Sequence, residues 1–241
     1  MKLFNSVFEE LPGFSSVLEC LDKHISPVSV TGLSHIHRAN LISAFSGKIG
    51  GKISLVITGT EAEAKRFCDD INMMTGEETA VLFPAREHIF TPVDSSTHEY
   101  EYMRISAMSR AIGGNCGVIC GCIEAVMQPV IPRGTLISAT LELNSGETID
   151  REQLCLKLAE QGYQRCEKVE GAGQFSVRGS LIDIFPVQAV RPVRIELWDD
   201  EIESISEFDT DTQRRSQENL EKLEISPASE LVCSGEVLAD R

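Results

Sequence analysis

The first half of the chain alternates between short apolar runs and amphipathic segments. Three apolar runs are bounded by glycine or proline, as buried strands are: "KISLVITG" (52–59), "TAVLFP" (79–84) and "CGVICGC" (116–122). Polar and apolar residues at helical spacing predict helices after them, at 60–76, 98–114 and 123–132. Strands that alternate with helices predict a parallel sheet, so we expect residues 1–132 to form an α/β domain.

Two further segments precede this alternation. One or two helices are expected in residues 1–25, with a break at Pro12-Gly13. The run "ISPVSVTGL" (25–33) is rich in β-branched residues and predicts a short strand ending near Gly32. A helix is expected to follow over 37–50 and to end at Gly47 or Gly50.

The helix predicted at 60–76 carries start and stop signals. Thr60 is placed to cap its first turn, and Glu63 lies three residues on, as in a capping box. Gly76 follows the last periodic residue and predicts the end of the helix.

The pattern changes at Pro132-Arg133-Gly134, a boundary signal. Alternating segments typical of strands then dominate, and one helix is expected among them, at 150–162. The segments are "TLISATLEL" (135–143), "YQRCEKVE" (163–170), "GQFSVRGSLIDIFP" (173–186), "VRPVRIELWDDEIESISEFD" (190–209) and "KLEISPA" (222–228). We expect 133–227 to form a small α+β domain on antiparallel strands, with "WDDE" as a hairpin turn and 228–241 as the stub of a following segment.

Composition narrows the function classes. The 241 residues include 42% hydrophobic and 24% charged residues, which is typical of a packed globular chain. The formal net charge is −15, which disfavours binding to bare nucleic acid and favours a protein partner. The sequence has no apolar run that would span a bilayer, and acidic residues occupy the place of a signal peptide's apolar core. We therefore expect a cytoplasmic protein without a membrane partner.

Eight cysteines, expected to be reduced, include a cluster at Cys116, Cys120 and Cys122. One interpretation of the cluster is a metal site. The other is a buried strand that uses cysteine as a small apolar residue. No paired C-x-x-C motif and no nearby histidine completes a tetrahedral set, so no metal and no other cofactor is predicted.

The stretch "TGLSHIHRAN" has the frame of a phosphate-binding loop, G-x-x-x-x-G-K-[ST], without its working groups. Gly32 fits the first position, but His37 replaces the second glycine, Arg38 the lysine and Ala39 the hydroxyl residue. A side chain at His37 would occupy the space that phosphate needs, and Ala39 offers no oxygen to Mg²⁺. No DE-x-[DH] motif follows an apolar strand. These residues predict a degenerate loop that does not bind ATP.

A long ordered pattern in the second half resembles one known module, the second domain of the excision-repair helicase UvrB and of the transcription-repair coupling factors. It reads as a strand ending in -RG-, then -DΦFP-, -RΦEΦ-, an acidic turn and a closing -FD-x-x-T-Q-R- (Φ apolar). The residues that carry it are Val177, Arg178, Gly179, Ile182, Asp183, Phe185, Pro186, Arg194, Glu196, Glu201, Phe208, Asp209, Gln213 and Arg214. "VLFPAREHIFTPVDSSTHEYEYMRISAM" and "GVICGCIEAVMQPVIP" in the first half also resemble the coupling-factor family. The resemblance spans about residue 28 to about residue 230.

The resemblance implies a first domain with a helicase-like fold that has lost its phosphate-binding loop, and a second domain that docks the damage-recognition ATPase UvrA. It implies that this chain is a non-catalytic module of a longer protein, and that the longer protein is an ATP-dependent DNA translocase. RNA polymerase and double-stranded DNA would be bound by domains beyond Arg241. The alternatives are a fragment of an active UvrB-like helicase that binds ATP and DNA, and a scaffold domain of another pathway.

The resemblance carries the UvrA contact over to Arg178, Arg194, Glu196 and Trp198. Strand alternation supports it, because residues i, i+2 and i+4 share one face, while Ile195 and Leu197 turn to the core. Trp and Arg are also common in interface hot spots. The sequence thus predicts an exposed patch, with Arg178 on the strand next to the other three. The alternative is a cross-strand Arg–Glu pair with a half-buried tryptophan that fills the sheet.

Overall fold

The computed structural model describes residues 12–46, 48, 51–86 and 98–231. These residues fall into two compact units, one of 12–86 with 110–128 and one of 98–109 with 129–231. The helices are α1 Pro12–Asp22, α2 His35–Ser46, α3 Glu61–Thr75, α4 Glu99–Ile112, α5 Ile123–Met127, α6 Arg133–Ala139 and α7 Arg151–Glu160. The strands are β1 Ser54–Thr58, β2 Ala80–Phe83, β3 Val118–Cys122, β4 Leu141–Asn144, β5 Gln164–Arg165, β6 Gln174–Arg178, β7 Leu181–Ile184, β8 Val193–Trp198, β9 Glu201–Phe208, β10 Arg215–Asn219 and β11 Lys222–Ile225.

The first unit contains a three-stranded parallel sheet in the order β1-β3-β2, which confirms the predicted α/β class and parallel sheet. Val118 of β3 lies opposite both Ser54 and Ala80. One core cluster joins the sheet to α2 and α3, and its buried members are Ala39, Ala64, Phe67, Cys68, Ile71, Ala80, Val118 and Cys120. The likeness of this unit to a helicase domain stays a prediction.

The strand predicted at 25–33 is wrong, because these residues form no helix or strand. Ile25, Val28 and Val30 are exposed, so they gain nothing from packing against the sheet. Pro27 also lacks an N–H group to donate to a neighbouring strand. The predicted helix after it does form, as α2, but it begins two residues earlier than expected.

The second unit is built on a six-stranded sheet in the order β10-β9-β8-β7-β6-β5. All neighbours are antiparallel except β5 and β6, which pair in parallel over two residues. A two-stranded antiparallel ladder of β4 and β11 accompanies it. The apolar face of the large sheet is buried, with Ile182, Ile184, Ile195, Ile202 and Ile205 fully enclosed. The predicted antiparallel class of this half is confirmed.

Three details of the second half differ from the sequence prediction, and one is strand β10, which lies outside every segment predicted as a strand. Residues 133–139 form helix α6, since Leu136 and Ala139 lie three residues apart and share a buried face, so "TLISATLEL" is only partly a strand. In the predicted strand 163–170 only Gln164 and Arg165 join the sheet.

The expected domain limits at 132 and 227 stay predictions. Ala228, at the start of the expected stub, donates its N–H to the carbonyl of Gln161 within the second unit. The helix expected before Pro12, the predicted helix ends at Gly47 and Gly50, and residues 232–241 lie outside the described residues. Within the described ranges, every helix is too short or too polar to cross a bilayer.

Candidate docking surface

The candidate surface lies on the face of the six-stranded sheet opposite its apolar core. Along β8, the residues Arg194, Glu196 and Trp198 alternate with buried neighbours. Ile195 is 0% exposed and Leu197 is 5% exposed, which confirms the predicted orientation of the strand. The three candidate side chains therefore project to one side, as their spacing indicated.

Trp198 is the most open member of the set, with 75% of the residue exposed. It lies at the end of β8, immediately before a two-residue turn of Asp199 and Asp200 that leads into β9. Asp199 has φ of +58°, a conformation that aspartate accepts in tight hairpins. The predicted "WDDE" hairpin is thus confirmed, and it holds the indole at the rim of the sheet.

The predicted exposure of Arg194 is wrong, because only 12% of its side chain reaches solvent. Its Nε donates to Oδ1 of Asp183 at 2.6 Å, and its Nη2 donates to Oδ2 at 2.9 Å. Asp183 lies directly opposite on β7 and is 1% exposed. The guanidinium is drawn down onto the sheet because a buried carboxylate requires a paired cation.

A loop closes over Arg194 from the other side. The guanidinium donates to the carbonyl of Gln213 at 3.2 Å and lies 4.7 Å above the ring of Phe208. The loop is held by Asp209, whose carboxylate accepts the N–H and the hydroxyl of Thr212, and these bonds lower the pKa of Asp209. The hydrogen bonds to Asp183 raise the pKa of Arg194 above its ordinary value, so the arginine stays charged.

Arg178 lies on β6, two strands away from β8 rather than on the adjacent strand as predicted. Its guanidinium still reaches the same face, where Nη2 donates to Oδ2 of Asp183 at 2.6 Å. The side chain is 45% exposed. Arg178 and Arg194 therefore share one buried carboxylate, but only Arg178 presents its charge to solvent.

Glu196 pairs with a residue that the sequence analysis did not single out. Its Oε2 accepts from Nη1 of Arg215 at 3.1 Å and from the hydroxyl of Ser204 at 3.3 Å. Arg215 begins β10, whose register against β9 is irregular, so no sequence pattern indicated this pairing. Asp183 was visible only as part of the -DΦFP- pattern, without a role. The cross-strand Arg–Glu pair of the alternative interpretation thus exists, but Arg215 forms it instead of Arg194, and Trp198 is exposed rather than half-buried.

The degenerate phosphate-binding stretch is mostly helix. Gly32 lies ahead of α2 with φ of +81°, whereas His37, Arg38 and Ala39 lie inside the first turns of α2. Ala39 is 0% exposed in the core cluster. His37 Nδ1 is 3.0 Å from the hydroxyl of Ser34. Position 39 therefore faces the core cluster and not solvent.

The clustered cysteines belong to the interior of the first unit. Cys116, Cys120 and Cys122 are all buried, and the last two lie in β3. A hydrogen bond with Cys68 and burial raise the pKa of Cys120, while the same bond lowers that of Cys68. Among the residues that the structure describes, no group of three or more His, Cys, Asp or Glu side chains is arranged to hold a metal ion.

Comparison with known proteins agrees with the pattern in the second half. Residues 141–231, which include β4 to β11, match the UvrB interaction domain family. The chain is 30% identical over 96% of its length to the transcription-repair-coupling factor of Bacillus subtilis. It is 30% identical over 87% of its length to that of Staphylococcus aureus strain MRSA252. It spans about a fifth of the length of these curated relatives, 20% and 18%. The expected resemblance to the N-terminal region of the transcription-repair-coupling factors is confirmed.

Proposed function

We propose that this chain is a non-catalytic docking module that recruits the excision-repair protein UvrA, as part of a protein that couples transcription to DNA repair. One observation carries the proposal. An exposed arginine, Arg178, and an exposed tryptophan, Trp198, project from one face of the sheet within residues 141–231, the range that matches the UvrB interaction domain. Both residue types are enriched where interfaces concentrate their binding energy.

The two exposed side chains offer complementary chemistry. Trp198 supplies a large rigid apolar surface with an N–H donor at its edge. A guanidinium has five N–H donors, and Asp183 takes one of those of Arg178, so the others can meet a carboxylate of the partner. Arg215 adds a second exposed cation beside Glu196.

The four residues predicted from the sequence divide into two roles under this proposal. Arg178, Glu196 and Trp198 meet UvrA, and Arg194 supports them from below. RNA polymerase and double-stranded DNA, which the resemblance implies for the family, are not assigned to any described residue.

The test measures UvrA affinity for single variants of this chain. Truncating a hot-spot residue typically costs about 2 kcal/mol or more, so Arg178→Ala and Trp198→Ala should each weaken binding at least about tenfold. Trp198 is exposed, and in Arg178→Ala the carboxylate of Asp183 keeps both hydrogen bonds from Arg194, so the thermal melting temperature of each variant should stay near that of the wild type. Affinity like that of the wild type in both variants would overturn the proposal.

Two controls match the two variants. Arg38→Ala removes an exposed arginine from α2, and Leu156→Ala removes an apolar side chain that is 65% exposed on α7. Neither should change UvrA affinity. Arg194→Ala is unsuitable as a binding variant, since it leaves the carboxylate of Asp183 buried with only the half-exposed Arg178 as its cation. Loss of binding in that variant would accompany loss of stability.

A further inference from the structure

A row of four polar residues crosses the middle of the sheet beneath the docking surface. Ser176, Asp183, Arg194 and Ser206 stand opposite one another on β6, β7, β8 and β9. Ser176 and Asp183 are 1% exposed and Ser206 is 0% exposed. Burying a row of polar residues in a sheet costs free energy of folding unless the residues are paired. We therefore expect this row to have a functional role.

The charge of Asp183 is compensated by the two arginines alone among the described residues. Arg194 binds both of its oxygens, and Arg178 binds Oδ2. The hydroxyls of Ser176 and Ser206 lie at either side of the pair, and neither finds a hydrogen-bond partner among the described residues. Asp183 is therefore the anion that holds these two guanidinium groups close together.

Arg178 depends on that anion for its position. Its residue lies opposite Leu181 on β7, so it reaches Asp183 diagonally, two positions along the same face. An exposed arginine without such an anchor samples many rotamers and loses that freedom on binding. Arg194 is held from three sides, but among the described residues Arg178 makes one such bond, to Asp183.

We infer that Asp183 is a positioning residue, which holds the Arg178 guanidinium in the orientation that meets UvrA. The inference rests on the proposed docking function. Asp183 itself is buried and does not touch the partner. Removal of its charge both releases Arg178 and makes it repel Arg194, so the arginine turns away from the surface.

The first test uses the free chain and needs no partner. In ¹⁵N-labelled protein, the Nε–Hε signal of Arg178 is assigned by its loss in Arg178→Lys. Its heteronuclear NOE should match the ordered backbone in the wild type and fall to the value of the exposed Arg133 in Asp183→Asn. Asp211→Asn, which changes an exposed carboxylate in the loop of residues 209–214, should leave the Arg178 signal unchanged. A rigid Arg178 in Asp183→Asn would overturn the inference.

Asp183→Asn leaves Arg194 buried without its anion, so this variant can fail to fold. The double variant Asp183→Asn with Arg194→Gln removes both buried charges and keeps two amides that can hydrogen-bond each other. It should fold and should also leave Arg178 mobile. A folded double variant with a rigid Arg178 would contradict the role of Asp183.

The second test is a double-mutant cycle in UvrA binding. Asp183→Asn combined with Arg194→Gln should weaken binding about tenfold, as should Arg178→Ala alone. The triple variant should bind no more weakly than Arg178→Ala, because the buried pair acts only through Arg178. A triple variant weakened about a hundredfold would show an independent effect and refute the positioning role. If the wild type does not bind UvrA, the proposed function fails, and the NMR measurement still decides whether Asp183 holds Arg178.

Discussion

Arg194 and Trp198 show how neighbours decide what a side chain does. Both lie on the same face of β8, and strand alternation predicts the same exposure for both. Asp183 lies opposite Arg194 and binds it, whereas Trp198 lies opposite Glu201 at the end of the ladder. One side chain is therefore buried as support, and the other is left for a partner.

A second buried ion pair in the same unit gives a prediction at the residue scale. Arg104 is 0% exposed, and its Nε donates to Oε1 of Glu230 at 2.9 Å. Arg104→Ala should lower the free energy of unfolding by about 3–5 kcal/mol, because it leaves the carboxylate of Glu230 buried without that cation. Urea denaturation followed by circular dichroism measures the change.

The double variant Arg104→Met with Glu230→Gln serves as the control for this prediction. It removes both charges and should recover a large part of the lost stability. A double variant whose loss equals the sum of the two single losses would show that the ion pair itself is not the cause.

At the scale of elements, α3 forms where the sequence placed it. The hydroxyl of Thr60 accepts the N–H of Glu63 at 3.3 Å, and Gly76 ends the helix with φ of +76°. Both signals act over a few neighbouring residues, so they need no information from the rest of the chain.

Thr60→Ala should therefore lower the free energy of unfolding by about 1 kcal/mol, the usual cost of a lost N-cap. Chemical denaturation measures the difference. Thr60→Ser keeps the accepting oxygen and should stay close to the wild type. Equal losses in both variants would mean that the threonine methyl group, and not the cap, stabilises the helix.

Elements that depend on distant partners were less predictable. The apolar residues of 25–33 favour a strand, but a strand needs a neighbour, and the three-stranded sheet does not take them in. Residues 133–139 have the composition of a strand and form α6, because Leu136 and Ala139 are buried on one helical face. Short segments carry too weak a pattern to decide between the two structures.

At the scale of the whole molecule, we predict that the chain does not bind Mg·ATP and does not hydrolyse ATP. The lysine and hydroxyl of the phosphate-binding motif are absent, and Ala39, at the hydroxyl position, is buried in the core cluster. Isothermal titration calorimetry with ATP and Mg²⁺ should give no binding heat. Micromolar binding would instead favour the alternative of an active helicase fragment.

A variant that restores the motif sharpens this test. His37→Gly with Arg38→Lys and Ala39→Thr supplies the missing residue types, but position 39 is buried in the core cluster. The variant should gain no ATPase activity and should be less stable, because it places a glycine in a helix and a hydroxyl in the core. ATP hydrolysis by this variant would show that the loop lacks only the side chains of the motif and keeps a backbone that can bind phosphate.

The sequence by itself determined the features that depend on local periodicity and on long ordered motifs. These are the parallel sheet, the antiparallel sheet, the caps of α3, the turn at Asp199-Asp200 and the face shared by Arg194, Glu196 and Trp198. Only the tertiary structure decided which charges are paired. Asp183 meets Arg178 and Arg194 from neighbouring strands, and Glu196 meets Arg215 nineteen residues away. Strand order and register set these distances, and both follow from the packing of the whole sheet rather than from the pattern of any one strand.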